Sequence, residues 1–250
     1  MELRLCTWQE VDRYLQGSNA IVMPIGSTEQ HGPNGLIGTD ALCPEALALE
    51  LGKRTGALIA PTISVGMAQH HLAFAGSITL RPSTLILVIQ DMVNSLIQHG
   101  FKRFYFLNGH GGNVATVTAA FSEIYAQASL GVQPEKQAGV ACILRNWWEA
   151  DGVMALSREL FGSADGSHAT CGEVSLTQYA YPGSIKSAEL DPPIAPTGPI
   201  YDAADYRRRF PDGRIGSNPS LATPEAGKKL FDLALRGLAA DYTRFANAAR

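Results

Sequence analysis

Short apolar segments alternate along the chain with polar segments that are rich in glycine and proline. Mostly apolar runs occupy residues 20–23, 57–60, 103–107 and 138–144. Runs of this length that end at turn residues predict buried strands. Residues 77–80 alternate between polar and apolar positions, which predicts one more strand.

Helical patterns lie between these runs. Thr7 and Glu10 have the spacing of a capping box, in which each residue caps the backbone of the other at a helix N-terminus. That helix is predicted over residues 7–15. Composition and apolar positions at helical spacing predict further helices over residues 44–51, 83–97, 114–128 and 170–179 and from Thr223 onward. Strands that alternate with helices predict an α/β sandwich with a largely parallel sheet, as one domain over residues 1–250.

Composition narrows the function classes. The chain has 46% hydrophobic and 17% charged residues and a net charge of −3, which suits a globular protein and gives no basis for binding nucleic acid. The four cysteines have no CxxC spacing, so reduced thiols are expected. No signal-peptide core or membrane-spanning run is visible, and we expect a cytoplasmic protein that acts on a small molecule without a membrane partner.

Three polar clusters follow predicted strands or open a predicted helix. The first contains Glu29, His31 and Asp40, the second is the glycine-rich segment around His110, and the third contains Asp165, His168 and Glu173. Ligands of open α/β sheets bind beyond the carboxyl ends of the strands. Carboxylate and imidazole groups are ligands that Zn²⁺ or Mn²⁺ prefers, and two such ions that share a hydroxide can hydrolyse an amide. The clusters therefore predict a site for a pair of divalent ions bridged by one carboxylate, with a site for a single ion as the alternative.

Taken singly, several of these residues have structural interpretations. His110 is also compatible with a position beside a helix N-cap, and Asp165 with a turn. Trp147 and Trp148 fit the core or a pocket wall, and His70 with its neighbour fits a pocket wall or an exposed loop tip. The three clusters together favour the metal site.

The same motifs resemble the creatininase (creatinine amidohydrolase) family. The matching segments are Gly-Ser-x-Glu-Gln-His-Gly-Pro from Gly26 with Thr39-Asp40, Asn-Gly-His-Gly-Gly-Asn from Asn108, and Asp165-x-x-His168-x-x-x-x-Glu173. The resemblance implies a three-layer α/β/α sandwich with a largely parallel (mixed) central sheet, a homohexamer, and two divalent ions (Zn²⁺, Mn²⁺ or Fe²⁺). It also implies that Asp40 bridges the ions, that Glu29 and His110 complete one site, that His31 belongs to the other, and that His168 transfers protons.

The chain departs from creatininase at two motifs. Creatininase has Tyr-Glu after the histidine of the second motif, and that glutamate is a metal ligand, whereas this chain has Gly111 and Gly112. Glu173 is our candidate for the missing carboxylate, as a ligand or as a group that orients His168. Creatininase also has a tryptophan before the aspartate of the third motif, where this chain has Ala164.

The expected substrate contacts are Asp165, Gly111, Trp147 and His70. The predicted reaction is hydrolysis of a C–N bond in a small cyclic amide or formamide, nominally creatinine. The second motif, with Gly-Gly after its histidine, resembles the motif of relatives that act on formamides of purine or pyrimidine intermediates, on peptide precursors and on inosose-type ketones. The alternatives are therefore a formamidopyrimidine-type or inosose-type substrate, or a metal-binding structural subunit without catalysis.

Overall fold

A computed structural model describes residues 1–131 and 134–248, without the side chain of Pro134. The strands are β1 (Ala20–Ile25), β2 (Leu58–Ile59), β3 (Arg103–Asn108) and β4 (Ala141–Asn146). The helices are α1 (Trp8–Leu15), α2 (Thr39–Thr55), α3 (Pro82–Gln98), α4 (Val114–Ser129), α5 (Pro134–Gln137), α6 (Val153–Phe161), α7 (Cys171–Ala180), α8 (Ala203–Arg209) and α9 (Pro224–Ala246).

The strands form a parallel sheet in the order β2-β1-β3-β4. The register pairs Ile25 at the end of β1 with Asn108 at the end of β3, and Asn108 with Asn146 at the end of β4. Because three strands end level with one another, the segments that follow them start from the same edge of the sheet. That edge is where the predicted ligands should meet.

Helices cover both faces of the sheet. Successive side chains of a strand point to opposite faces, so Val22 and Tyr105 pack toward α2, α7 and α9 while Ile21 and Phe104 pack toward α3 and α4. The apolar side chains of both layers are buried, as shown by Leu47 and Leu235 on the first face and Ile89 and Val117 on the second. The three-layer α/β/α prediction is confirmed.

Several boundaries differ from the prediction. Residues 77–80 do not form a strand, since Ile78 makes a single antiparallel bridge with Thr28. The sheet of the described residues is entirely parallel rather than mixed. Helix α2 begins at Thr39, five residues before the predicted start, because Gly38 provides the N-cap and Pro44 is accommodated inside the helix. The predicted strand 138–144 lies at Ala141–Asn146, and α6 and α8 were not predicted.

The first helix confirms its predicted cap. The backbone N–H of Thr7 donates to Glu10 Oε2 at 2.7 Å, and α1 ends at Leu15. Across residues 1–131 and 134–248, every helix is too short or too polar to cross a bilayer.

Candidate metal centre

The segments at the carboxyl edge of the sheet bring the predicted ligands together. Glu29 and His31 follow β1, Asp40 lies in the first turn of α2, His110 follows β3, and Glu173 lies in the first turn of α7. Their ligand atoms form three groups within 4.8 Å of one another: Glu29, His31 and His168; Glu29, Asp40 and His110; and His31, Asp40 and Glu173.

Asp40 lies between two histidines at the centre of this cluster. Its Oδ1 is 3.1 Å from His31 Nε2, and its Oδ2 is 3.0 Å from His110 Nδ1. The backbone around it is closely packed, since a Cβ at Gly26 or Gly109 would lie 2.1 or 1.9 Å from the Asp40 carbonyl oxygen. Glycine at both strand ends therefore lets α2 approach the sheet and places the Asp40 carboxylate between the other ligands.

Three histidines each use one ring nitrogen to contact a backbone carbonyl. His31 Nδ1 lies 3.0 Å from the Glu29 carbonyl, His110 Nε2 lies 2.8 Å from that of Met67, and His168 Nε2 lies 2.8 Å from that of Gln30. Since a carbonyl only accepts, these contacts assign the N–H to that nitrogen. When a ring is neutral, its other nitrogen presents a lone pair, toward Asp40 in His31 and His110 and toward Glu29 in His168.

Buried carboxylate oxygens in this cluster lack hydrogen-bond donors. Among the described residues 1–131 and 134–248, Glu29 Oε1, Glu29 Oε2 and Asp40 Oδ2 are buried and have no hydrogen-bond partner, and Glu29 is fully buried. Leaving a charged acceptor buried and unpaired costs several kcal/mol. Carboxylate oxygens that face imidazole lone pairs form the donor set that a divalent cation completes. The residues present therefore fit metal ions.

Without metal, protons occupy this cluster. Burial disfavours charged His31, but the Asp40, Glu173 and Glu29 carboxylates outweigh burial and raise the pKa of His31 to about 10. Burial is likewise outweighed at His110, where Glu29 and Asp40 raise the pKa to about 9. Burial acts against ionised Asp40 as well, yet His31 and His110 lower the pKa of its carboxyl group.

The pKa values of the two glutamates shift in the direction opposite to that of Asp40. Burial and the Asp40 charge raise the pKa of Glu29 to about 7. Burial, despite the opposing charge of His31, also raises the pKa of Glu173 to about 7. Both side chains would be held as carboxylates by a bound cation.

Glu173 combines a structural contact with a position near the cluster. It forms a capping box with Thr170, whose backbone N–H donates to Glu173 Oε1 while Thr170 Oγ1 accepts from the Glu173 N–H at 3.1 Å. Glu173 Oε1 also lies 3.9 Å from His31 Nε2. The cap therefore places this carboxylate on the His31 side of Asp40.

His168 lies inside the site as a neutral ring. Burial, and then the charges of His31 and His71, lower its pKa well below the usual value. Its ring centroid is 4.7 Å from that of His31, and its Nδ1 is 3.8 Å from Glu29 Oε1. The Nδ1 lone pair therefore lies beside the metal ligands.

A cavity of about 690 Å³ opens onto this cluster. All four predicted substrate contacts line it, namely Asp165, Gly111, Trp147 and His70. Trp148 lines it too, with its ring perpendicular to that of Trp147. Burial, and then the charge of His71, lower the pKa of His70 to about 4.

Asp165 is engaged within the protein. Its Oδ2 accepts from the Ser157 hydroxyl at 2.6 Å, and its Oδ1 accepts from the Gly172 N–H at 2.9 Å. Gly172 lies in the first turn of α7, so Asp165 joins α6 to the N-terminus of the helix that carries Glu173.

Two further residues contact the predicted site residues: His71, whose pair with His70 fitted a pocket wall or a loop tip, and Gln30, which was not predicted. His71 is buried with its Nε2 3.2 Å from Glu29 Oε1, and Gln30 Nε2 lies 2.8 Å from His71 Nδ1 and 2.9 Å from the Gly213 carbonyl oxygen. Burial, and then the charges of His31 and His110, lower the pKa of His71 to about 3. Gln30 and His71 were visible only as neighbours of Glu29, His31 and His70, and their contact spans 41 positions of sequence.

Comparison with known proteins identifies the family. The family model for creatininase, described as creatinine amidohydrolase, matches residues 4–241. The chain belongs to the creatininase family. It is 28% identical over 251 residues to the creatinine amidohydrolase of Pseudomonas putida, covering 93% of this chain and 92% of the relative.

Other relatives show the range of the family. The mycofactocin precursor peptide peptidase of Mycobacterium ulcerans is 28% identical over 226 residues, which cover 85% of this chain and 80% of the relative. A solved creatininase variant of Zn-Zn type superposes with a TM-score of 0.81 at 22% identity, covering 99% of this chain and 98% of the other. The chain is thus a creatininase-family hydrolase with a buried His/Glu/Asp cluster that suits metal ions.

Proposed function

We propose that the chain is a metal-dependent amidohydrolase that cleaves a C–N bond of a small cyclic amide or formamide, with creatinine as the nominal substrate. The observation that carries this proposal is the buried cluster in which the carboxylate oxygens of Glu29 and Asp40 face ring nitrogens of His31 and His110. The similarity to the Pseudomonas putida creatinine amidohydrolase supports the reaction class.

Two divalent ions, Zn²⁺, Mn²⁺ or Fe²⁺, would be held on the two sides of Asp40. Glu29, Asp40 and His110 would hold one, and His31, Asp40 and Glu173 the other. Bound there, such ions would lower the pKa of water and polarise a carbonyl. The Zn-Zn type of the solved creatininase variant supports a pair of ions.

His168 would move the proton. Its Nε2–H donates to the Gln30 carbonyl, which holds the ring in one orientation and leaves Nδ1 free to accept. A neutral imidazole beside the attacked carbonyl can take a proton from water at Nδ1 and give it to the departing nitrogen. Its lowered pKa favours the neutral form that this step requires.

Metal analysis combined with turnover tests the proposal. The purified protein, reconstituted with Zn²⁺ or Mn²⁺, should bind about two ions per chain, and Asp40→Asn should lose both because Asp40 contributes to both groups. Asp91→Asn, an exposed position on α3, is the matched control. Unchanged metal content in Asp40→Asn, or a protein that holds no divalent ion after reconstitution, would overturn the assignment of the centre, whereas bound metal without turnover of any substrate would favour the metal-binding structural subunit.

Substrate assays separate the remaining alternatives. The metal-loaded protein is assayed with creatinine, a formamidopyrimidine and an inosose-type ketone. Turnover of creatinine or of the formamidopyrimidine supports C–N hydrolysis, whereas turnover of the ketone alone replaces it. Residues 1–250 as one domain, a cytoplasmic location and a homohexamer are also proposals, the last of which sedimentation analysis tests.

A further inference from the structure

The cavity is larger than a creatinine-sized ligand requires. Its volume is about 690 Å³. If each ligand heavy atom takes roughly the 30 Å³ that a water molecule occupies in the liquid, it holds on the order of 20 such atoms. A single small ring at the metal ligands would therefore leave most of the cavity filled with water.

The wall of the cavity changes character from its inner end to its mouth. Asp40 and His110 are buried at the inner end, whereas Met154, Arg158 and Ile200 line the cavity and are exposed. The walls also include apolar side chains, namely Val153, Leu230, Ile215, Trp147 and Trp148. A substrate bound at Asp40 and His110 thus shares the cavity with apolar side chains and with Arg158, which is exposed.

Arg158 has no counter-charge of its own. Within residues 1–131 and 134–248, its guanidinium makes no ion pair and no hydrogen bond. Among the lysines and arginines of these residues, Arg158 alone lines the cavity. The carboxylate nearest in sequence on the cavity wall, Asp165, already accepts from Ser157 and Gly172. A guanidinium presents a fork of donors that matches a carboxylate or phosphate group.

Contacts between α6 and the start of α7 hold the backbone that carries Arg158. Val153, Met154, Ser157 and Arg158 all line the cavity and recur at the spacing of one helix face. The Ser157 hydroxyl is bonded to Asp165, which connects this face to the N-terminus of α7. The backbone that presents Arg158 is thus tied to the helix that carries Glu173.

Once two divalent ions are bound at the inner end of the cavity, this end would not repel an anionic ligand. Glu29, Asp40 and Glu173 supply three negative charges when ionised, and two divalent ions would supply four positive ones. The loaded centre is therefore not a source of negative charge, and an anionic ligand gains from Arg158 without a penalty at the inner end.

We propose that the substrate is an elongated amide with an apolar middle and an anionic group, a carboxylate or a phosphate, which binds Arg158 at the mouth of the cavity. This inference rests on the proposed amide hydrolysis and narrows its substrate. Hydrolysis breaks the C–N bond of the amide bound at the inner end, and water supplies the oxygen of the new carboxylate and the protons of the new amine. The anion at Arg158 takes no part in bond breaking and serves in binding.

Binding of matched probes to the metal-loaded protein tests this by calorimetry. N-acetyl-leucyl-phenylalanine is compared with its C-terminal carboxamide, and 1-naphthyl phosphate with 1-naphthol. At least one anion should bind about tenfold tighter than its neutral partner, the range expected of a charge-assisted hydrogen bond. Arg158→Gln should abolish that preference, Arg158→Lys should retain part of it, and Arg236→Gln, an exposed arginine on α9, should retain all of it.

The outcomes separate this inference from the reaction class. Equal binding of anion and neutral partner by the unmodified protein, or a preference that persists in Arg158→Gln, would overturn the role of Arg158. Which pair shows the Arg158-dependent preference distinguishes carboxylate from phosphate. Binding can be measured without turnover. An Arg158-dependent preference for the anion without cleavage of any amide would therefore contradict only the proposed hydrolysis. Turnover of creatinine without such a preference would contradict only the proposed anion binding at Arg158.

Discussion

Metal loading should release protons, because the metal-free cluster holds them where the ions would bind. His31 and His110 have pKa values of about 10 and about 9, so at pH 8 both rings are almost fully protonated. A ring that coordinates a cation must give up one of its two N–H protons. Zn²⁺ binding at pH 8 should therefore displace at least about two protons per chain.

Lower pH should increase the release. Glu29 and Glu173 have pKa values of about 7, so at pH 6 most of both carboxyl groups are protonated without metal. Loading at pH 6 should then displace about four protons, because both glutamates must ionise as well. Since protons and metal compete, the apparent affinity for Zn²⁺ should fall as pH falls from 8 to 6.

Calorimetric titration in buffers of different ionisation enthalpy measures the number of protons released. His31→Gln and His110→Gln should each lower the release at pH 8 by about one proton. His99→Gln removes an exposed histidine at the end of α3 and serves as the matched control. A release below one proton at pH 8, or one that decreases toward pH 6, would refute the proton inventory of the cluster.

Three further perturbations test separate parts of the structure. His168→Gln should lower kcat by roughly 100- to 10,000-fold with unchanged metal content, and unaltered turnover would remove its proton-transfer role. Gly112→Ala should reduce metal occupancy, because its Cβ would lie 2.4 Å from His110 Nε2, whereas Gly111→Ala, with open space at its Cβ, should keep both ions by elemental analysis. Arg214→Met should lower the free energy of unfolding in urea by about 3–5 kcal/mol, since Arg214 is fully buried against Asp212, whereas Arg236→Met should change it by less than about 0.5 kcal/mol.

The parts of the fold that could be predicted are those with strong local signals. The run at residues 20–23 and that at 103–107 are central strands, whose continuous apolar character follows from burial on both faces. The alternation at residues 77–80 is also a local signal for a strand, but this segment forms only a single bridge. Alternation shows a half-buried extended segment, and it does not show that a partner strand is available.

The start of α2 could not be read from composition. The composition of residues 44–51 predicts a helix that starts at Pro44. The structure continues the helix back to Thr39. Pro44 has no N–H to bond to the Asp40 carbonyl, and the Gly26 and Gly109 positions pack closely against that carbonyl oxygen. The tertiary contact with the sheet thus decides where the helix begins.

The ligand types in the site were predictable, and the contacts among distant segments were not. Glu29, His31, Asp40, His110 and Glu173 were found because each lies in a glycine-rich segment or at a helix start. Arg158 gave no such signal, since it lies on α6, which was not predicted. Its place on the cavity wall depends on how α6 packs against α7 and α9, which local sequence does not encode.

The two glycines after His110 explain why the second carboxylate should come from α7. A side chain at position 112 would collide with the His110 ring and with the Met67 carbonyl at 2.8 Å, so this backbone conformation excludes a glutamate there. The His31 side of Asp40 then lacks a carboxylate from the β3 segment. Glu173 lies 3.9 Å from His31 Nε2 on that side, held by its cap with Thr170. A cation bound to His31 and Asp40 would thus find its remaining carboxylate on α7, and Glu173→Gln should weaken that ion while leaving the Glu29–His110 ion bound.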